Sequence, residues 1–206
     1  ESIATITGRF YAMDRNKIWE RTELAYKAMV EGKGVAKAGS AEEAIALAYN
    51  RGETDEYLQP TVITKIDGQP IATIKDHDAV IFFNARSDRA RQITKALIQT
   101  DFNKRNPGAF TRRHWPHPLY FVAMTDFGPD LPNVLTAFPS PDVVNGLVAC
   151  IDHRFRHLYI AETEKYAHIT YFINGGYSDA LNGEVRELVQ SGNTYSYADK
   201  PAMESK

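Results

Sequence analysis

The sequence predicts an α/β fold, and three observations carry that expectation. Short apolar or alternating runs of strand length recur along the chain, and helical patterns with recognisable caps fall between them. The strongest apolar run, "DAVIFFN" at 78–84, is continuous rather than alternating, as in a strand covered on both faces. The 206 residues suffice for one large or two small domains. A composition of 43% hydrophobic and 24% charged residues is rich enough to bury a core.

The elements follow in order. Residues 2–7 alternate and contain β-branched side chains, which reads as a strand. Residues 17–31 suit a helix that turns Ile18, Leu24, Ala25, Ala28 and Met29 inward, and Gly32 ends it. Ser40 and Glu43 have capping-box spacing for a helix over 41–49, and Gly52 stops it. Residues 60–74 read as a hairpin around Asp67–Gly68. After the 78–84 strand, a helix is expected from Ser87 to Ile98, with Ala90, Ile93, Ala96 and Leu97 inward. Residues 101–118 look like loop, and "LYFVAMTDF" at 119–127 like a second buried strand. Ser140 suits an N-cap and Pro141 a first helical position, for a helix running to about Phe155. Residues 137–141 then read as a domain linker. "HLYIAE" gives a short strand, and "TEKYAHITYFINGG" a helix closed by Asn174, Gly175 and Gly176. The last thirty residues are polar and weakly patterned.

Bulk properties exclude several classes. A net charge of −2 gives no support for a general nucleic-acid or membrane-surface partner. Apolar runs such as "LYFVAM" are far too short to span a bilayer. Cys150 is the one cysteine, so an internal disulfide and a four-cysteine zinc site are excluded; it is expected to be a buried helix residue in a reducing compartment. Residue 1 is Glu and opens inside a strand-like stretch, which suggests a fragment.

Three stretches could carry chemistry. In "FFNARSDRARQI" a strand ends near Asn84 and a helix begins near Ser87, placing Arg86 and Arg89 where ligands bind in open α/β sheets. A guanidinium fork suits phosphate and carboxylate, although pairing with Asp88 accounts for the same residues. In "TGRFYAMDRNKIWER" Arg9 and Arg15 fall in a connecting loop, as prongs of an anion site or, for Arg15, as a partner of Asp14. In "AETEKYAH" Lys165 sits in a first helical turn, where the dipole disfavours it; an anion, or Glu162 and Glu164, would offset that. His114 and His117 lack a recognisable third metal ligand, and His153 and His157 do not share a helix face. No P-loop, nucleophile elbow or dinucleotide fingerprint is present.

Together, and in this order, "TGRFYAMDRNKIWER", "FFNARSDRARQI" and "IAETEKYAHITYFINGG" resemble the cofactor-independent phosphoglycerate mutases. The resemblance implies that residues 1–136 are the later half of an inserted α/β transferase (substrate) domain. It implies that 137–141 link to 142–206, a partial re-entry into an alkaline-phosphatase-like α/β domain. It implies a glycolytic isomerase that passes the phosphoryl group of 3-phosphoglycerate to a serine and back to the 2-hydroxyl. By resemblance Arg9, Arg15, Arg86, Arg89 and Lys165 bind the phosphoglycerate. The nucleophilic serine would lie before Glu1. Two divalent metal ions, commonly manganese, would be held by ligands outside this chain, so no catalytic or metal-ligating residue is expected within it. The full-length protein would be a cytoplasmic monomer with no nucleic-acid or membrane partner, and the 206 residues alone would be inactive. Thr7 and Ala85 depart from the family's serine and aromatic at those places. A non-catalytic phosphate-binding module, or a related phosphomutase with another substrate, are the alternatives.

Overall fold

Two small sheets organise the first part of the chain in the computed structural model. It describes all residues except Pro129, Pro132, Ser140, Asp142, Asp152, His153, Ser178, Asn193, Tyr195, Ser196 and Lys206. The chain divides into two units, Glu1–Ser140 and Pro141–Lys206.

The first unit begins with β1 (Thr5–Ile6), α1 (Arg9–Ala12) and α2 (Trp19–Tyr26), which widens into a π-helical turn over Lys27–Glu31. Gly32, at φ 64°, closes it in a left-handed conformation that glycine adopts without strain. Trp19, Thr22, Ala25, Tyr26, Ala28 and Val30 face the core, whereas Leu24, expected inward, is 36% exposed. At about 100° per residue, Leu24 falls on the side of α2 opposite Trp19, Thr22 and Tyr26.

Next come β2 (Ala36–Ala38), α3 (Ala41–Asn50) and β3 (Thr61–Ile63). β3 is fully buried between β1, antiparallel, and β2, parallel. The Ser40 cap forms as expected: its side chain accepts the Glu43 N–H at 3.2 Å, and the Glu43 carboxylate accepts the Gly39 N–H at 2.7 Å. The turn at Asp67–Gly68 also forms, with Gly68 N–H donating to Lys65 O at 2.9 Å. The predicted hairpin's return arm does not extend beyond an isolated bridge, Thr64 to Pro70. β1 already occupies Thr61 and Val62 on that edge, so only the end of β3 is free to pair.

The second sheet of this unit is all parallel, in the order β4 (Ala79–Phe82), β5 (Tyr120–Ala123), β6 (Val134–Thr136). Between β4 and β5 lie α4 (Ser87–Ile98) and the short α5 (Phe102–Arg105). Ile93, Ala96 and Leu97 of α4 pack with Trp19, Ala25, Tyr26, Val30, Phe102 and Phe121 in one cluster, against Val80, Phe82 and Val134 of the sheet. Each large side chain so buried contributes roughly 1.5–3 kcal/mol. The 101–118 segment ties down the far end of α4. Arg112 donates to the carbonyls of Ala96 at 3.0 Å and Gln99 at 2.7 Å, and the Trp115 indole donates to that of Leu97 at 2.8 Å. These are carbonyls that a helix end leaves without intrahelical partners.

The expectation of a β4 buried on both faces is corrected. Its pattern alternates, leaving Ile81 69% exposed, and Phe83 beyond it 86%. Register places Ile81 beside Val122 and Val122 beside Leu135, so Ile81, Tyr120 and Leu135 share one uncovered apolar face.

In the second unit β7 (Leu158–Glu162) pairs in parallel with β8 (Val185–Val189) along all five positions. β8 lies in the tail that looked unpatterned; Val185, Leu188 and Val189 break strict alternation. The predicted helix to Phe155 shrinks to α6 (Leu147–Cys150), and Pro141 is not helical. Two consecutive β-branched residues, Val143 and Val144, and extended Gly146 disfavour a helix before Leu147. The Ser140 cap and His153 lie outside the described residues. Cys150 is exposed, not buried. The helix expected at 163–176 begins as a turn and widens into π-helical form over His168–Phe172. Gly175 and Gly176 end it with positive φ. Among the described residues no helix is long and apolar enough to cross a membrane.

The bare face of β4–β6 generates a prediction. Replacing Ile81 and Leu135 together by lysine should reduce self-association of the 206-residue chain, read by light scattering, while changing its stability by less than about 1 kcal/mol.

Candidate functional site

Four arginines from two distant stretches meet in the first unit. Gly8 sets the first stretch in place. A Cβ there would lie 2.5 Å from the Glu56 carbonyl oxygen and 2.7 Å from the Leu58 nitrogen, so only glycine allows the backbones to touch. Gly8 N–H donates to Leu58 O at 2.8 Å and Phe10 N–H to Glu56 O at 3.0 Å. Arg9, expected in a connecting loop, is thereby the first residue of α1, and its Nε lies 3.6 Å from Glu56 Oε1.

Arg15 follows the short helix. Its expected partner Asp14 is turned inward instead, 4% exposed, and accepts from the N–H groups of Asn16 and Ile18 and from Arg21. Arg15 Nη1 donates to Asp88 Oδ2 at 2.7 Å, across 73 positions of sequence. Asp88 stands in the first turn of α4, where the helix dipole favours an acid. Arg86 caps the same helix and grips the same carboxylate, Nε to Oδ1 at 2.7 Å and Nη2 to Oδ2 at 3.2 Å. The Asn84 side chain accepts the Arg86 N–H at 2.9 Å and fixes the turn out of β4. Burial alone would raise the Asp88 pKa, but the hydrogen bonds and charges of Arg86 and Arg15 outweigh it and hold the carboxyl at about 2.

Arg89 is different. It is half-buried and donates Nη1 to the Met13 carbonyl at 3.1 Å. Its Nε is buried and has no hydrogen-bond partner among the described residues. Burial, then the charges of Arg15, Arg9 and Arg86, pull its pKa below the ordinary arginine value, against a smaller opposing pull from Asp88. Asp88 therefore serves two of the four guanidinium groups and Glu56 lies beside a third, while among the described residues the buried Arg89 Nε has no acceptor. Such a cluster favours a multiply charged anion and suits a ligand with two acidic ends.

The fifth predicted residue, Lys165, belongs to the second unit. It is exposed in the turn after β7, and its N–H donates to Glu162 O at 2.9 Å. Among the described residues its ammonium makes no ion pair; Glu162 Oε1 instead accepts the Glu204 N–H at 2.9 Å. His117 stacks on Trp115 with ring centroids 4.4 Å apart. Among the described residues no three His, Cys, Asp or Glu side chains converge to hold a metal ion, so these residues do not fit a metal centre. The shared role of Asp88 escaped sequence reading, which paired it only with its helix neighbours. The acid inside "RSDR" was the visible signal.

Comparison with known proteins decides the family. Residues 1–129 match the family described as BPG-independent PGAM N-terminus. The chain belongs to the BPG-independent phosphoglycerate mutase family. Residues 121–206 match the Metalloenzyme superfamily. The chain is 50% identical over 203 residues to a 2,3-bisphosphoglycerate-independent phosphoglycerate mutase of Thermomicrobium roseum, covering 98% of this chain and 37% of that protein. It is 47% identical over 202 residues to the corresponding mutase 1 of Methanosarcina acetivorans, covering 98% and 38%. Its fold matches a crystal structure of Leishmania mexicana phosphoglycerate mutase, solved at low cobalt concentration, with a TM-score of 0.81 at 30% identity. That match covers 99% of this chain and 37% of the other. The chain thus spans under two-fifths of the length of these relatives.

The shared carboxylate has a pH signature. The Asp88 pKa falls from 3.8 to about 2 on folding, so its stabilisation is present above about pH 4 and lost as pH falls through about 2. Asp88→Asn should cost about 1 kcal/mol at neutral pH, with partial exposure of the cluster screening the larger loss of a fully buried pair. Denaturant midpoints at pH 7, 4 and 3 should show the gap to wild type closing as pH drops.

Proposed function

We propose that this chain forms the phosphoglycerate-clamping part of an intramolecular phosphotransferase that interconverts 3-phosphoglycerate and 2-phosphoglycerate through a phosphoserine. The observation that carries the reading is Arg89, half-buried among like charges and with no acceptor for its Nε among the described residues. A phosphate or carboxylate oxygen at that nitrogen would supply the missing acceptor and relieve the repulsion from Arg15, Arg9 and Arg86.

In this reading residues 1–136 are the later half of the substrate domain, 137–141 the linker and 142–206 part of an alkaline-phosphatase-like domain. The family matches over 1–129 and 121–206, and the boundary between units after Ser140, support that division. Arg9, Arg15, Arg86 and Arg89 hold the glycerate and its phosphate, and Lys165 binds the transferred phosphoryl group in the full-length enzyme. Phosphoryl transfer is mostly positioning and neutralisation of charge on the equatorial oxygens, which is work for fixed cations. The serine nucleophile and two divalent metal ions, manganese by family resemblance, belong to parts of the full-length enzyme outside these residues. Bound there, the metal ions would supply Lewis-acid stabilisation at the reacting serine and phosphate. The full-length enzyme is then a glycolytic, cytoplasmic monomer.

Arg89→Ala in the full-length protein should weaken 3-phosphoglycerate binding about ten- to a hundredfold, the loss of one charge-assisted hydrogen bond, read by calorimetric titration. Unchanged affinity would contradict the clamp. The 206 residues by themselves should show no turnover; robust manganese-dependent mutase activity from them would contradict the placement of the nucleophile elsewhere.

A further inference from the structure

Arg15 reaches Asp88 from a loop held in an unfavourable shape. Lys17 sits at φ 60°, in the left-handed region, at a cost of order 1 kcal/mol for a residue with a Cβ. Something must offset that strain, and the side chain that does so from outside the loop is Gln92. It lies one turn beyond Asp88 on α4 and is 5% exposed. Its Oε1 accepts the Lys17 N–H at 3.0 Å. Its Nε2 donates to Asp14 Oδ2 at 2.9 Å and to the Thr22 hydroxyl at 2.8 Å. The amide orientation is unambiguous: a backbone N–H only donates and a carboxylate only accepts. Asp14 in turn collects the N–H groups of Asn16 and Ile18 on the same oxygen. Alternate amides of the 16–18 turn thus end on two buried side chains, one from the loop and one from the helix.

We infer that Gln92 is a positioning residue of the anion clamp: it fixes the strained Asp14–Ile18 turn onto α4, so that Arg15 meets the helix that presents Arg86 and Arg89. Gln92 itself touches no ligand. This inference rests on the clamp reading above. It goes further in giving an uncharged, buried residue control over substrate affinity.

The test uses the full-length protein with Gln92→Met, which keeps the volume and removes all three hydrogen bonds. Amide hydrogen exchange at 16–18 should accelerate, and KM for 3-phosphoglycerate should rise about tenfold, the loss of one well-made contact, with kcat changed far less. Adding Lys17→Gly, which adopts positive φ without strain, should bring KM back most of the way. A merely structural role would lower stability without that rescue. Should Gln92→Met fail to fold, Gln92→Glu reads the same contact. A protonated acid can still accept from Lys17 and donate to Asp14, whereas the carboxylate repels Asp14, so KM relative to wild type should climb as pH rises. A flat ratio would overturn the inference, as would unchanged exchange at 16–18. Faster exchange with unchanged KM also overturns it. If Arg89→Ala leaves affinity intact as well, that result removes the clamp itself; if Arg89→Ala weakens binding, it removes the positioning role alone.

Discussion

The Asp88 carboxylate, shared by Arg15 and Arg86, is the interaction on which the site depends. Like charges do not gather in a partly buried place without a counter-charge, and this carboxylate supplies one for two of the four guanidinium groups. It also joins stretches 73 residues apart in sequence, so one side chain sets both electrostatics and geometry. Its strongly lowered pKa keeps it ionised throughout the physiological range. Arg89 is left with charge around it and, among the described residues, no acceptor for its Nε, and that imbalance is what an incoming anion would correct.

The scaffold serves that arrangement from both ends of α4. At its start, Asn84 fixes the turn out of β4 and Gln92 receives the strained loop. At its end, Arg112 and Trp115 bind carbonyls the helix leaves free, which gives the 101–118 segment a structural purpose. Trp19, Tyr26 and Phe102 lock α2 and α4 together between these points. Backbone contact at Gly8 then places α1, and with it Arg9. The start of α4, carrying Arg86 and Arg89, meets α1 with Arg9 and the loop after it with Arg15, because buried groups hold each stretch in one position.

How much of this was legible follows from the range of each interaction. Local signals read well: the Ser40 cap, the Gly32 stop, and the bounds of α4 at Ser87 and Ile98 all appear as expected. Signals that depend on distant partners read poorly. β8 forms because β7 offers a parallel edge, not because its own pattern demands a strand. The continuous apolar run at 78–84 correctly predicted a strand, yet one of its faces is uncovered within these residues. The four arginines of the candidate site were visible as motifs. The pairing of Arg15 with Asp88 instead of Asp14 was not, because it required knowing which way a buried carboxylate turns.

The clamp is tested most directly at the Arg89 Nε–H itself. With arginine side chains labelled with nitrogen-15, 3-phosphoglycerate is titrated into the full-length protein and the Arg89 Nε–H resonance is followed. The account predicts a saturable shift of that resonance and slower exchange of its proton with water, as the buried donor gains an anionic acceptor. Saturation of the binding site, seen at other resonances, with the Arg89 Nε–H unmoved would contradict it.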